Sequence, residues 1–91
     1  MLRIVLDELP DRRVTLHLEG QVLGPWVEEL SRTCAPILAG GAELSLDLSS
    51  VSFVSREGVE LLWNLRDRRV SLLRCSRFVA EQLRALEGRE A

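Results

Sequence analysis

The sequence predicts an α/β fold: a two-layer sandwich in which a four-stranded mixed sheet carries its helices mainly on one face. Strand-like and helix-like segments follow each other in the order ββαβαβα. The first three strand segments each have one apolar and one polar face, whereas strands covered by helices on both sides are continuously apolar. A chain of 91 residues is long enough for one such domain, spanning residues 1–91.

The first two strands are predicted to form a hairpin. Apolar residues alternate with polar ones at Leu2, Ile4 and Leu6, and again at Val14, Leu16 and Leu18. Pro10 and Asp11 mark a turn between the two segments. Because so short a link cannot make a crossover, the two strands are antiparallel.

The first crossover unit leads from the second strand to the third. Its helix begins at Gly24-Pro25, since proline is favoured at the first helical position, and ends at Gly40-Gly41. The third strand covers residues 43–50, where leucines alternate with polar residues. The helix buries the apolar stripe Trp26, Val27, Leu30, Cys34, Ile37 and Leu38.

The second crossover unit begins with a helix near Ser55 and returns to a fourth strand at residues 70–75. Right-handed connections make the second, third and fourth strands parallel, with the first antiparallel at one edge. Ser76 is a good N-cap for a last helix. The buried stripe of that last helix is predicted to be Val79, Leu83 and Leu86.

Composition narrows the classes of function. Apolar residues make up 46% of the chain and charged residues 29%, and the net charge is −2, so nothing indicates a nucleic-acid partner or insertion into a membrane. Cys34 and Cys75 match no metal spacing, and each is interpreted as a small packing residue. The N-terminal segment is not typical of a signal peptide, which predicts a cytoplasmic protein with reduced thiols.

Groups that could support catalysis are scarce, and the sequence predicts neither an enzyme nor a cofactor. His17, the single histidine, lies on the polar face of a strand and is interpreted as solvated. Asp47, near the end of a strand, is interpreted as a carboxylate that caps the following loop. No glycine-rich phosphate loop, zinc cluster or nucleophile elbow is present.

The segment LDLSSVSFVSREGVELL, residues 46–62, resembles the STAS family, the sulfate transporter and anti-sigma-factor antagonist domains. Asp47 to Ser49 match the family's strand end, Phe53 the apolar residue before the loop, and Gly58 the glycine at the helix start. The order of elements and the segment LEGQVLGPWVEEL also resemble the family. The resemblance implies an abbreviated domain, without a last strand and helix that many relatives have.

The chain departs from the family at its regulatory position. In STAS domains that act as anti-sigma-factor antagonists, a partner kinase phosphorylates the first serine of an Asp-Ser-Ser-Gly motif. Here Ser55 stands at the Asp position, Arg56 at the acceptor serine and Glu57 at the second serine. The resemblance therefore implies a module without the usual switch. Ser55 remains a candidate phosphorylation site, with an N-cap role as the alternative.

The expected partner surface comprises Ser55, Arg56, Glu57, Gly58 and Trp63, with Gly58 letting a partner backbone approach closely. Leu61 and Trp63 lie off the buried stripe of the second helix, so one of them is expected to be exposed. The resemblance implies a protein partner, either an anti-sigma factor of the kinase type or the ATPase of a lipid or solute transporter. A ligand regulator that uses Asp47 and Ser49 of the loop, and a homodimer through a sheet face or edge, stay open.

Overall fold

The computed structural model describes the backbone of residues 1–90 and the side chains of residues 1–85. The elements follow in the order β1 (Leu2–Leu9), β2 (Arg13–Val22), α1 (Pro25–Ala39), β3 (Glu43–Val54), α2 (Arg56–Asp67), β4 (Ser71–Leu73) and α3 (Arg77–Glu90). The predicted order ββαβαβα is confirmed. The predicted burial of Leu86 lies outside the described side chains.

The sheet has the strand order β1-β2-β3-β4, with β1 at one edge as predicted. β1 is antiparallel to β2, and β2, β3 and β4 are parallel. Alternate side chains point toward the helices and are buried, as Leu16 and Leu46 illustrate, while Thr15 and Ser45 lie on the opposite, open face. The helices therefore cover one face and leave His17 and its neighbours on the other.

The core is continuous from the sheet into all three helices. Cys34 lies in it with 1% of its surface exposed, and burial raises the pKa of its thiol to about 11, so the thiol stays neutral. Cys75 is half-buried against the same core, and burial raises its pKa as well. Both cysteines are free thiols, which fits their interpretation as packing residues.

β3 extends to Val54, four residues beyond the predicted end at Ser50. The register against β2 slips twice: Leu18 has no single partner between the pairs His17–Asp47 and Glu19–Ser50, and a second slip follows Gly20. Each slip adds one residue to β3, which is the signature of a β-bulge. The strand thus bends where it approaches α2.

β4 is three residues long, shorter than the predicted segment of residues 70–75. Arg69 and Arg74 flank it with positive φ angles of 68° and 56°, in the left-handed region that no strand can adopt. These two left-handed residues therefore limit β4 to the short segment between them. Within residues 1–90, no helix is both long and apolar enough to cross a membrane.

Candidate functional site

Ser55 fixes the start of α2. Its backbone N–H donates to the Val22 carbonyl at the end of β2 at 2.9 Å, and its Oγ accepts from the Gly58 N–H at 3.2 Å. Its φ of −73° and ψ of 172° are extended, as an N-cap requires. The predicted N-cap role is confirmed, and the residue ties the helix to both β2 and β3.

Arg56 and Glu57 are exposed in the first turn of α2. Glu57 complements the positive end of the helix dipole, whereas Arg56 opposes it by about 0.3–1 kcal/mol. Arg56 makes no ion pair with the residues that the structure describes. The half-buried Ser55 and the exposed Arg56 and Glu57 together form the α2 tip, a charged surface at the end of β3.

Gly58 is buried, which corrects its expected role as a point of contact for a partner backbone. A Cβ at this position would lie 2.7 Å from the Val22 carbonyl oxygen and 2.7 Å from Cγ1 of Val54. The close approach that glycine permits is therefore used by the chain itself, between α2 and β2. Gly58 supports the α2 tip from below.

Trp63 is half-buried rather than exposed, as is Leu61, so the expectation that one of them is exposed is wrong. The indole Nε1 donates to the Leu83 carbonyl of α3 at 3.1 Å. The guanidinium carbon of Arg66 lies 4.6 Å from the ring centroid, which is cation–π geometry. Trp63 thus joins α2 to α3, and the arginine stacked on it is Arg66, not Arg56.

An exposed aromatic residue near the α2 tip comes instead from α3. Phe78 is 55% exposed, and its ring centroid lies 6.5 Å from that of Phe53. Gln82 holds α3 in place by donating to the Val54 carbonyl at 2.7 Å and accepting from the Val54 N–H at 3.2 Å. Sequence reasoning missed Phe78, although its position beside the Val79–Leu83 stripe was the available signal.

Asp47 is a buried carboxylate on the open face of the sheet. Its oxygens accept from the Ser49 N–H at 3.0 Å and from His17 Nδ1 at 2.9 Å, and Arg74 lies 3.5 Å away. Hydrogen bonds from Ser49, with smaller contributions from His17 and Arg74, hold the pKa of Asp47 below its ordinary value. The strand continues to Val54, so Asp47 caps the first bulge of β3 and not a loop, which corrects its predicted role. His17 is a half-buried partner of Asp47 rather than a freely solvated residue.

The hollow around this pair is shallow and acidic. It has a volume of about 240 Å³ and is lined by residues that include Asp47, Glu19 and Ser49, with Ser49 exposed. His17 Nε2 also lies 3.7 Å from a carboxylate oxygen of Asp7. Asp7 and Asp47 thus lie on either side of the imidazole, and the guanidinium of Arg74 lies beside Asp47.

Solved structures share this fold. The anti-sigma factor antagonist SpoIIAA in its unphosphorylated form is similar to this chain with a TM-score of 0.73 and 19% sequence identity, over 90% of this chain and 82% of its own. An antisigma-factor antagonist, a STAS domain from Rhodobacter sphaeroides, gives a TM-score of 0.63 and 20% identity, over 84% and 92%. A DUF3478-family protein with a SpoIIAA-like fold from Shewanella loihica PV-4 gives 0.59 and 13%, over 93% and 75%.

No family model matches the sequence, and no curated protein does. At these levels of identity the similarity lies in the fold: the same order of strands and helices around one mixed sheet. The chain therefore has the SpoIIAA-like fold of STAS domains, which the sequence motif at residues 46–62 implied.

Proposed function

We propose that this protein is a non-enzymatic protein–protein interaction module of a bacterial regulatory system, similar to an anti-sigma-factor antagonist and acting in the cytoplasm. The observation that carries the proposal is the exposed α2 tip on a fold similar to that of SpoIIAA, an anti-sigma factor antagonist. The tip is built from the segment that carries the STAS resemblance.

The chemistry of the surface favours a protein partner. Arg56 and Glu57 of the α2 tip offer charges of both signs, and Phe78 offers an exposed ring next to the strand that leads into the tip. Arginine and large aromatic residues are enriched at the centres of protein interfaces. Gly58 lies beneath this surface, and Trp63 is half-buried against α3, so the proposed contact residues are Ser55, Arg56, Glu57 and Phe78.

We further infer that this module works without the usual serine switch. Arg56 stands where the STAS resemblance places the phosphoacceptor, and a guanidinium cannot serve as a serine-type acceptor. The neighbouring hydroxyl of Ser55 already accepts the Gly58 N–H, and the residue is half-buried. Binding would then be regulated by the amount of protein rather than by added negative charge.

Affinity capture from a bacterial lysate tests the surface. The bait is the wild-type protein, with Arg56→Glu and Phe78→Ser as the surface variants. Arg32→Glu on α1 is the matched control, since it reverses the charge of an exposed arginine on another helix. We expect the wild type and the control to retain the same partner and both surface variants to lose it. Equal retention by all four would refute the assignment of the surface.

Mass spectrometry of the captured protein then separates the two partner classes. An anti-sigma factor of the kinase type supports the leading proposal, and a transporter ATPase replaces it with the transporter alternative. Incubation of the wild type with the captured kinase and ATP is expected to leave the intact mass unchanged. A phosphoryl group on Ser55 would overturn the inference that the switch is absent.

A further inference from the structure

Exposed apolar side chains concentrate on the edge strand β1. Among the residues whose side chains the structure describes, six large apolar residues are exposed, and four of them lie in residues 1–9. These four are Met1, Val5, Leu6 and Leu9, with exposed fractions of 81, 37, 49 and 39%. Edge strands are normally kept short or heavily charged, whereas β1 is eight residues long with apolar residues near its centre.

The outer edge of β1 presents an unpaired row of backbone groups. The Gln21 N–H donates to the Met1 carbonyl at 2.9 Å, and the register places Leu2 opposite Gly20. The backbone N–H and C=O groups of the odd-numbered residues of β1 therefore point toward β2. In an antiparallel pair, bonded and non-bonded positions alternate. The N–H and C=O groups of the even-numbered residues therefore point outward, where residues 1–90 provide no further strand. These residues are Leu2, Ile4, Leu6 and Glu8.

We propose that β1 pairs antiparallel with β1 of a second copy of this chain, around a two-fold axis at Val5. The two four-stranded sheets would then form one continuous sheet. In this register Ile4 and Leu6 of opposite copies exchange backbone hydrogen bonds through their outward groups. On the open face, Arg3 lies opposite Asp7, Val5 opposite Val5, and Met1 opposite Leu9.

Charge and apolar complementarity select this register. Arg3 and Asp7 are exposed on the same face, with 71% and 54% of their side chains accessible, and each would face the opposite charge across the interface. Every exposed apolar residue of the segment gains an apolar partner. A shift of the register by two residues in one direction sets Val5 against Asp7 and Arg3 against Leu9. The opposite shift sets Arg3 against Val5 and Met1 against Asp7.

Arg3 and Asp7 already contact charged or polar residues of β2 in the same chain. Arg3 lies 3.7 Å from Glu19, and Asp7 lies 3.7 Å from His17. Pairing would place each Arg3 between Glu19 of its own chain and Asp7 of the other copy. An interface made by one strand edge is small, so we expect a weak dimer that depends on protein concentration.

A charge-swap experiment tests the register. Sedimentation velocity is recorded from about 1 µM to 1 mM for the wild type, Arg3→Asp, Asp7→Arg and an equimolar mixture of the two variants. Each variant alone places like charges opposite each other twice, and we expect its self-association to weaken at least about tenfold. In the mixture, both pairs join Asp to Arg again. The mixture should therefore form a heterodimer about as tight as the wild-type dimer.

Further variants control for folding and location. Thermal unfolding by circular dichroism checks that both charge variants remain folded, and Leu6→Lys tests the interface without altering either charge pair. Arg32→Asp on α1 makes the same charge change elsewhere and should dimerise normally. The proposal does not depend on the partner surface, so Arg56→Glu should also dimerise normally. A wild type that stays monomeric at 1 mM, or a mixture that does not recover dimerisation, would overturn the proposal.

Discussion

Replacing Gly58 by alanine adds one methyl group at the most crowded point beneath the α2 tip. The new Cβ would lie 2.7 Å from the Val22 carbonyl oxygen and 3.1 Å from Cγ1 of the same residue, far inside normal contact distance. That carbonyl cannot retreat without cost, because it accepts the Ser55 N–H that anchors the N-cap. The start of α2 must therefore move away from β2.

Two opposing effects set the magnitude. Overpacking of this kind costs about 1–3 kcal/mol, and weakening the bond between Ser55 and Val22 costs about 1 kcal/mol more. Alanine is a better helix former than glycine, by about 1 kcal/mol. We expect Gly58→Ala to lower the free energy of unfolding by about 2 kcal/mol. For a domain of 91 residues this corresponds to a fall in Tm of about 10 °C.

Gly40→Ala is the matched control. Gly40 caps α1 with a φ of −77°, and a Cβ there meets its nearest atom, the Pro36 carbonyl oxygen, at 3.4 Å. The same chemical change should therefore leave Tm unchanged or raise it by a few degrees. Thermal and urea unfolding of the two variants provide the measurement. Equal or higher stability of Gly58→Ala relative to wild type would refute the packing argument.

Two further predictions concern the supports of the sheet and of α3. Asp47→Ala should lower the free energy of unfolding by about 1.5 kcal/mol at pH 7, because the Ser49 N–H and the half-buried His17 lose their charged acceptor. Since folding lowers the pKa of Asp47, its contribution is present above the unfolded-state pKa of about 3.9 and is lost at lower pH. Urea unfolding should thus show the gap between wild type and variant shrinking below about pH 4, and a gap that widens there would contradict this. Trp63→Phe should lower the free energy of unfolding by about 1 kcal/mol, since the Leu83 carbonyl loses its donor. Trp26→Phe should lower it less in the same thermal assay, because the Trp26 indole donates no hydrogen bond to the described residues.

Local patterns were sufficient to predict the order of the elements. Alternation of apolar residues predicted β1, β2, the start of β3 and the one-sided cover of the sheet. The crossover rule then predicted the strand directions, with β1 at one edge. The N-cap at Ser55 followed from residue type alone. Each of these features depends on residues close together in the chain or on a rule common to all α/β folds.

The bulges of β3 were missed, although the sequence contains a trace of them. The buried apolar positions run at intervals of two up to Leu48 and then at intervals of three through Val51 and Val54. Strict alternation cannot produce this spacing, which requires an extra residue in each interval. Ser49 and Ser50, two successive exposed residues, mark the first bulge.

The contacts beneath the candidate site were not predictable, because they join distant parts of the chain. Gly58 meets Val22, which lies 36 positions earlier, and His17 bonds Asp47 across a separation of 30 residues. The glycine at position 58 indicated that a backbone passes close to it, but not which backbone. The sequence interpretation assigned this contact to a partner protein, whereas in the folded chain the contact is made by Val22 of β2.

Gln82 satisfies the backbone at the end of β3 on the side where β4 no longer pairs with it. Paired residues of β3 and β4 extend only to Asp47 and Leu73, yet both main-chain groups of Val54 are satisfied by the one amide of Gln82. A single side chain thus substitutes for the neighbour that a longer last strand would supply. Because Val54 precedes Ser55, these two hydrogen bonds join α3 directly to the strand end from which the α2 tip begins. A displacement of α3 would break both bonds next to the surface that we assign to partner recognition.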